Sequence, residues 1–210
     1  MRYLCCIDAD TMLKRSFLLI SILLTAWFAK AQTTDTALLN KMGDLDMATL
    51  NGDAYRAVGI GESILPDTGK LDAKARISFF AKLAKAYEDT EDDAKATYYY
   101  EKVAAAEPNY YVAQRALGYL YNNKAEEIQL KLYITPKDSP GYSKISDQYR
   151  KATLKALPYL EKAQACDPDA DTLDLIQTLY MNIHNDAGLS SLKSRLADLG
   201  KNCVDLLGDK

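Results

Sequence analysis

His184 is the only histidine in the chain, so it is the first place to look for acid–base or metal chemistry, imidazole being the side chain that titrates nearest neutrality. It stands in no motif. The sequence holds no H-E-x-x-H, no C-x-x-C and no G-x-S-x-G. His184 falls near an expected loop between the last two helices, where a surface or partly packed role is the reading. The acidic run Glu88-Asp89-Thr90-Glu91-Asp92-Asp93 has carboxylates enough for calcium, but it lacks the alternating ligands, the glycine and the terminal glutamate of a calcium loop. It reads as a solvated turn whose acids after Thr90 favour the N-terminus of the following helix. Gly59-Ile60-Gly61 has neither a third glycine nor a preceding strand, and reads as a close contact between helices. No catalytic residue, cofactor-binding residue or metal ligand is expected, and the chain is read as non-enzymatic.

The remaining chemistry is sulfur and phenol. Of the four cysteines, Cys5 and Cys6 precede an apolar run and make no lipoprotein acceptor. Cys166 and Cys203 either pair in an oxidising compartment or stand as two separate buried thiols. Pairing would close a loop worth roughly 3–4 kcal/mol on the chain-entropy model. Seven of the fifteen tyrosines lie between Tyr98 and Tyr121. Such a cluster suits a stacking platform, a strand-rich core, or the seam between packed helices.

The ends narrow the setting. Lys14-Arg15, an apolar run over Phe17–Phe28 and the small-x-small triplet Ala29-Lys30-Ala31 have the form of a cleaved secretory signal. Translation is expected to start at Met12. The run is short for a bilayer span, which needs roughly 20 residues; an uncleaved anchor or a buried helix is the alternative. Removing residues 1–31 leaves 22 basic against 27 acidic residues. That mildly acidic balance argues against a nucleic-acid partner, which draws on clustered Lys and Arg. It offers no basic patch for anionic lipid either.

The elements that must position these residues follow from the prolines. Ala54 and Val58 precede Pro66 by twelve and eight residues; Ala96 and Tyr100 precede Pro108 by the same intervals, as do Ala156 and Leu160 before Pro168. Background frequencies give such a match about one time in twenty per proline, so three among six is a signal. Upstream, Phe80-x-x-Leu83-Ala84-x-x-Tyr87 and Gln114-x-x-Leu117-Gly118-x-x-Tyr121 share a second spacing. Together the two halves resemble the tetratricopeptide repeat, a helix–turn–helix with the pattern W-x2-L-G-x2-Y, A-x3-F, P. The match is best in 77–110, where Phe80 replaces Trp and Ala84 replaces Gly. Thr172-x-x-Leu175-Ile176-x-x-Leu179 with Gly188, Leu192 and Gly200 continues it more weakly.

The resemblance implies an all-α superhelical array of about four helix–turn–helix units, at about 35–68, 77–110, 111–168 and 169–202. Together they occupy a domain over 32–210 behind a leader over 1–31. The third unit holds an insertion at 122–148, read as a lengthening of both its helices into a protruding α-hairpin around the turn sequence TPKDSPG. Ser143 or Ser146 is the expected cap of the returning helix, and Pro158 is expected to kink it. On this pattern Tyr87, Tyr100 and Tyr121 take packing positions, so the cluster reads as a helical seam, with Tyr98 and Tyr99 off it and half exposed.

The resemblance also implies a groove, lined by the first helices of successive repeats, that commonly holds a peptide or partner helix. Helical geometry carries it to Lys85 and Glu88, to Arg115, Tyr119 and Asn122, and to Gln177 and Tyr180. The expected function is therefore a scaffold or adaptor exported to the envelope of a Gram-negative bacterium, periplasmic or extracellular, that binds a protein or peptide. No membrane span is expected in the mature chain. The alternative is a small-ligand or glycan-binding module using Tyr98, Tyr99, Tyr119 and the inserted arm.

Overall fold

The computed structural model describes residues 36–204. The expected leader and its start at Met12 lie outside the described residues. Residues 1–41 and residues 42–210 are separate compact units, and of the first only 36–41 are described.

The described residues form eight α-helices: α1 (Thr36–Leu50), α2 (Ala54–Ile64), α3 (Ala73–Asp89), α4 (Asp93–Ala106), α5 (Tyr111–Ile134), α6 (Tyr142–Cys166), α7 (Ala170–Asn182) and α8 (Asp186–Leu199). Pro66 opens a short 3-10 segment, Leu65–Lys70, after α2, as a residue without an amide hydrogen ends a helix. The chain is thus the expected all-α array of helix pairs. Among the described residues the only β-type pairing is an isolated parallel bridge between Tyr110 and Val204.

Three of the intra-pair turns are built alike. Gly52, Glu91 and His184 have φ of 69°, 61° and 52°. The next residues, Asp53, Asp92 and Asn185, cap the second helix by accepting from Arg56 N, Lys95 N and Gly188 N. Their own amides donate back to Ala48 O, Tyr87 O and Tyr180 O at 2.9–3.0 Å. A left-handed residue closes one helix and an Asx side chain opens the next. This fixes the acidic run as a turn and accounts for His184, since histidine tolerates the left-handed region better than most residues.

The helices meet through fully buried Phe79, Leu83, Leu117, Leu157, Leu160 and Ile176, each contributing about 1.5–3 kcal/mol on leaving water. Glycines set the closest approaches. A Cβ on Gly61 would lie 2.6 Å from Leu83 Cδ1, one on Gly118 2.6 Å from Leu160 Cδ2, and one on Gly188 would run into the Tyr180 ring. Gly61 is therefore a helix contact, as the sequence suggests, whereas Gly59 faces open space.

Among the described residues α5 and α6 are the longest helices, with 24 and 25 residues, and share the most extensive packing. α6 starts at Tyr142 after Gly141 with no side-chain cap. Neither Ser143 nor Ser146 serves, because both already lie inside the first turn and a half. The helix continues through Pro158 to Cys166.

The segment after α8 folds back. Cys166 and Cys203 are disulfide-bonded, with α-carbons 5.5 Å apart. Lys162 donates through Nζ to Leu199 O and Asn202 O at 2.9 and 2.5 Å. Val204 N donates to Asn109 O, and Tyr111 N to Val204 O, at 2.8 and 3.2 Å. Lys162 is buried, and its ammonium is held below the usual lysine range by desolvation.

Candidate partner-binding surface

The tyrosine cluster is a seam between helices. Tyr87, Tyr100, Tyr121 and Tyr180 are all buried. Each donates its hydroxyl to a glutamate: Tyr87 to Glu62 at 2.7 Å, Tyr100 to Glu88 at 2.7 Å, Tyr121 to Glu101, and Tyr180 to Glu161 at 2.5 Å. Buried phenols need such partners. Burial first, then the carboxylate, raises Tyr180 to about 12 and pushes the other three higher still. Tyr99, expected to be half exposed, is 9% exposed instead. Its ring stacks on Phe80 and on Tyr87, with centroids 5.7 Å apart in both cases, so the side reserved for solvent is a second packing face. Tyr98 is 53% exposed, with Lys102 Nζ 4.7 Å from its ring centroid. Tyr119 is half-buried and shares a hydrogen bond with Thr172 Oγ1 at 2.9 Å. The three-tyrosine platform is therefore not assembled.

The residues assigned to the concave groove separate in the same way. Lys85 is exposed and paired with Asp89, four residues on in its own helix. Glu88 accepts from Tyr100. Arg115 reaches from α5 to the end of α6, donating to Asp167 Oδ2 at 2.9 Å and Asp167 O at 2.5 Å. With the Tyr119–Thr172 bond it ties α5 to the α6–α7 connection. Gln177 is half-buried.

Two assignments need correction. Tyr180 is 7% exposed and belongs to the core, where Glu161 holds both it and Arg195. Asn122 is 3% exposed and is buried in the packed stretch of α5 with Gly118, Tyr121 and Ala125 rather than on its surface. Side-chain hydrogen bonds of these seven residues run to Asp89, Tyr100, Asp167, Thr172, Glu126, Glu161 and Arg195. Among the described residues no side-chain bond joins one of the seven to another.

The open surface lies further along α5. A cleft of about 780 Å³ is lined by Asn123, Glu126, Glu127, Gln129, Leu130 and Tyr133 of α5, with Asp93 from the start of α4 opposite. Leu130, Tyr133 and Ile134 are 66%, 88% and 73% exposed. Sequence reasoning placed this stretch in the inserted arm but marked none of its residues. The available signal was apolar residues at 130, 133 and 134 at the far end of the inserted helix, past the last position of the repeat pattern.

No family model matches the chain, and no curated protein does. Among solved structures it is similar to the kinesin light chain-type, nearly identical TPR-like repeats from Podosopora anserina. The identity is 16% over 80% of this chain and 97% of that one, with a TM-score of 0.36. A likeness of that size carries no argument, and the fold stands on the helix pairs themselves. Among the described residues no helix is long and apolar enough to cross a membrane.

Proposed function

We propose that this chain is an exported, non-enzymatic helical-repeat adaptor that holds a protein or peptide partner in the cell envelope. The observation that carries this reading is the α5–α6 hairpin. Its helices are 24 and 25 residues long, against 11 to 17 in the others, and it presents Leu130, Tyr133 and Ile134 to solvent beside an open cleft. Helical arrays of this kind bind through extended surfaces, with inserted segments often on the binding face. Apolar side chains this exposed on a rigid helix have the composition of a docking face. The signal-like segment at 14–31 and the Cys166–Cys203 disulfide support export to an oxidising compartment.

The test is a cross-linked pull-down from envelope extract with the full chain as bait beside a Leu130→Ser, Tyr133→Ser variant. A protein recovered by the wild type and lost by the variant supports an adaptor acting through the arm. Recovery by both moves the binding surface elsewhere on the array. Absence of any specific partner from either bait refutes the adaptor.

A further inference from the structure

Two rows of side chains run along α5 toward the cleft. Asn122, Glu126, Gln129 and Tyr133 recur at intervals of four, three and four, as do Asn123, Glu127, Leu130 and Ile134. Side chains at such spacing share a helix face. Three carboxylates meet at this face, since Asp93 closes the cleft from the start of α4. Among the described residues none of the three is in an ion pair, and no lysine or arginine lines the cleft. Lys124 and Lys131 stand three residues before and four after Glu127 on the same helix, yet neither lines the cleft or pairs with its carboxylates. The cleft lining itself thus carries acid and no base, beside the exposed Leu130 and Tyr133.

A second observation sits at the inner end of the first row. Asn122 is 3% exposed; its Nδ2 donates to Glu126 Oε1 at 2.6 Å, while its Oδ1 is buried without any hydrogen-bond donor. A buried acceptor without a partner costs about 1–3 kcal/mol. Glu126, which accepts the Asn122 amide, lines the cleft one turn further along and is in no ion pair among the described residues.

From these features we infer that the cleft is the docking site for a cationic amphipathic segment of a protein partner, a short helix or extended stretch with Lys or Arg flanking apolar side chains. This inference rests on the adaptor reading and deepens it. Ammonium or guanidinium groups of the segment reach Asp93, Glu126 and Glu127. Its apolar side chains cover Leu130, Tyr133 and Ile134. Charge complementarity selects this occupant: an acidic peptide, a nucleic acid or an anionic headgroup would meet three carboxylates and no base. The face that receives the segment belongs to the inserted length of α5, beyond the helix-pair pattern.

The probe is a fluorescein-labelled fourteen-residue Leu/Lys peptide patterned as an amphipathic helix, followed by fluorescence anisotropy with the full chain. Its counterpart carries Glu in place of each Lys. The wild-type chain should bind the Lys peptide at least about tenfold more tightly than the Glu peptide, with the difference shrinking as salt rises. Glu126→Lys with Glu127→Lys should invert the preference, and Leu130→Ser with Tyr133→Ser should weaken both peptides alike. If the charge-reversed chain fails to fold, Glu126→Gln with Glu127→Gln must still weaken the Lys peptide severalfold, with thermal unfolding as the fold control.

Equal binding of the two peptides by the wild type overturns the inference. So does unchanged preference in the charge variants. A self-association that the same variants abolish would also overturn it, since the occupant would then be a second copy. Using the charge variants as pull-down bait separates the two readings. A partner still captured by them preserves the adaptor and removes this cleft, and no partner from the wild type removes the adaptor itself.

Discussion

Gly118→Ala gives the sharpest test of how the repeats pack, because an internal control exists in Gly59→Ala. Alanine is roughly 0.5–1 kcal/mol better than glycine inside a helix. At Gly59, exposed in α2 with nothing within 4 Å of an added Cβ, that gain is the whole effect. At Gly118 the same gain is opposed. The new methyl would lie 2.6 Å from Leu160 Cδ2, 2.8 Å from Cγ and 3.0 Å from the Leu160 backbone nitrogen. Leu160 is fully buried, and a backbone atom is among the groups that must move. Overpacking a core in this way costs about 1–3 kcal/mol, so the net loss should be about 1–2 kcal/mol. For a unit of this size 1 kcal/mol moves Tm by about 2–4 °C. Gly59→Ala should therefore raise Tm by about 1–4 °C and Gly118→Ala lower it by about 2–8 °C, read by far-UV circular dichroism. Leu160→Ala should be less damaging in the Gly118→Ala background than in the wild type, since the added methyl fills part of the hole. A Gly118→Ala chain as stable as Gly59→Ala would refute the close α5–α6 contact.

Four further outcomes are expected. Cys203→Ser should lower the unfolding free energy by roughly 3–4 kcal/mol, the closure entropy of the loop between Cys166 and Cys203, measured by urea titration; an unchanged midpoint would contradict it. Glu161→Ala should cost about 2–3 kcal/mol, because it strips the partner from Tyr180 and Arg195 around a carboxylate whose side chain is 6% exposed, with Arg195 at 32% softening the loss. His184→Gly should gain about 0.5–1 kcal/mol, as glycine holds a φ of 52° without Cβ strain. Alkaline titration should leave stability flat up to about pH 10, where an unfolded tyrosine ionises. Tyr180 is raised to about 12, and Tyr87, Tyr100 and Tyr121 above the usual range, so stability should then fall as pH rises toward those values. Phenolate absorbance that completes at pH 10 with the helices intact would be inconsistent with these buried hydroxyls.

The helix pairs were legible in the sequence because prolines and small residues act through the backbone. Pro66 ends α2 whatever surrounds it, and Gly118 marks a contact that no side chain could occupy. The lengthened hairpin was legible for the same reason: the turn sequence around Pro136 and Pro140 breaks a helical pattern that resumes at once. Groove residues were not, since their exposure depends on what lies across from them. Asn122 and Tyr180 have the types and register of surface positions, yet the first is buried beside Tyr121 and Ala125 and the Glu161–Arg195 pair holds the second. Tyr99 escaped because its burial comes from Phe80 and Tyr87 on another helix. One signal was present and unused. The hydroxyls of Tyr87, Tyr100, Tyr121 and Tyr180 each meet a glutamate, and Glu62, Glu101 and Glu161 each stand on the second helix of the pair preceding their tyrosine.

The return of the segment after α8 to Asn109 and Tyr111 changes how this array would come apart. In an open stack each unit touches only its neighbours, so melting starts at a terminal pair and travels inward like a zip. Here the segment after α8 is bonded to the α4–α5 connection, a full pair earlier than α7 and α8. Opening the last pair therefore requires that junction to open too. Native-state hydrogen exchange should show α8 and the first turn of α5 exchanging as a single cooperative block, with no gradient of protection falling toward the C-terminus.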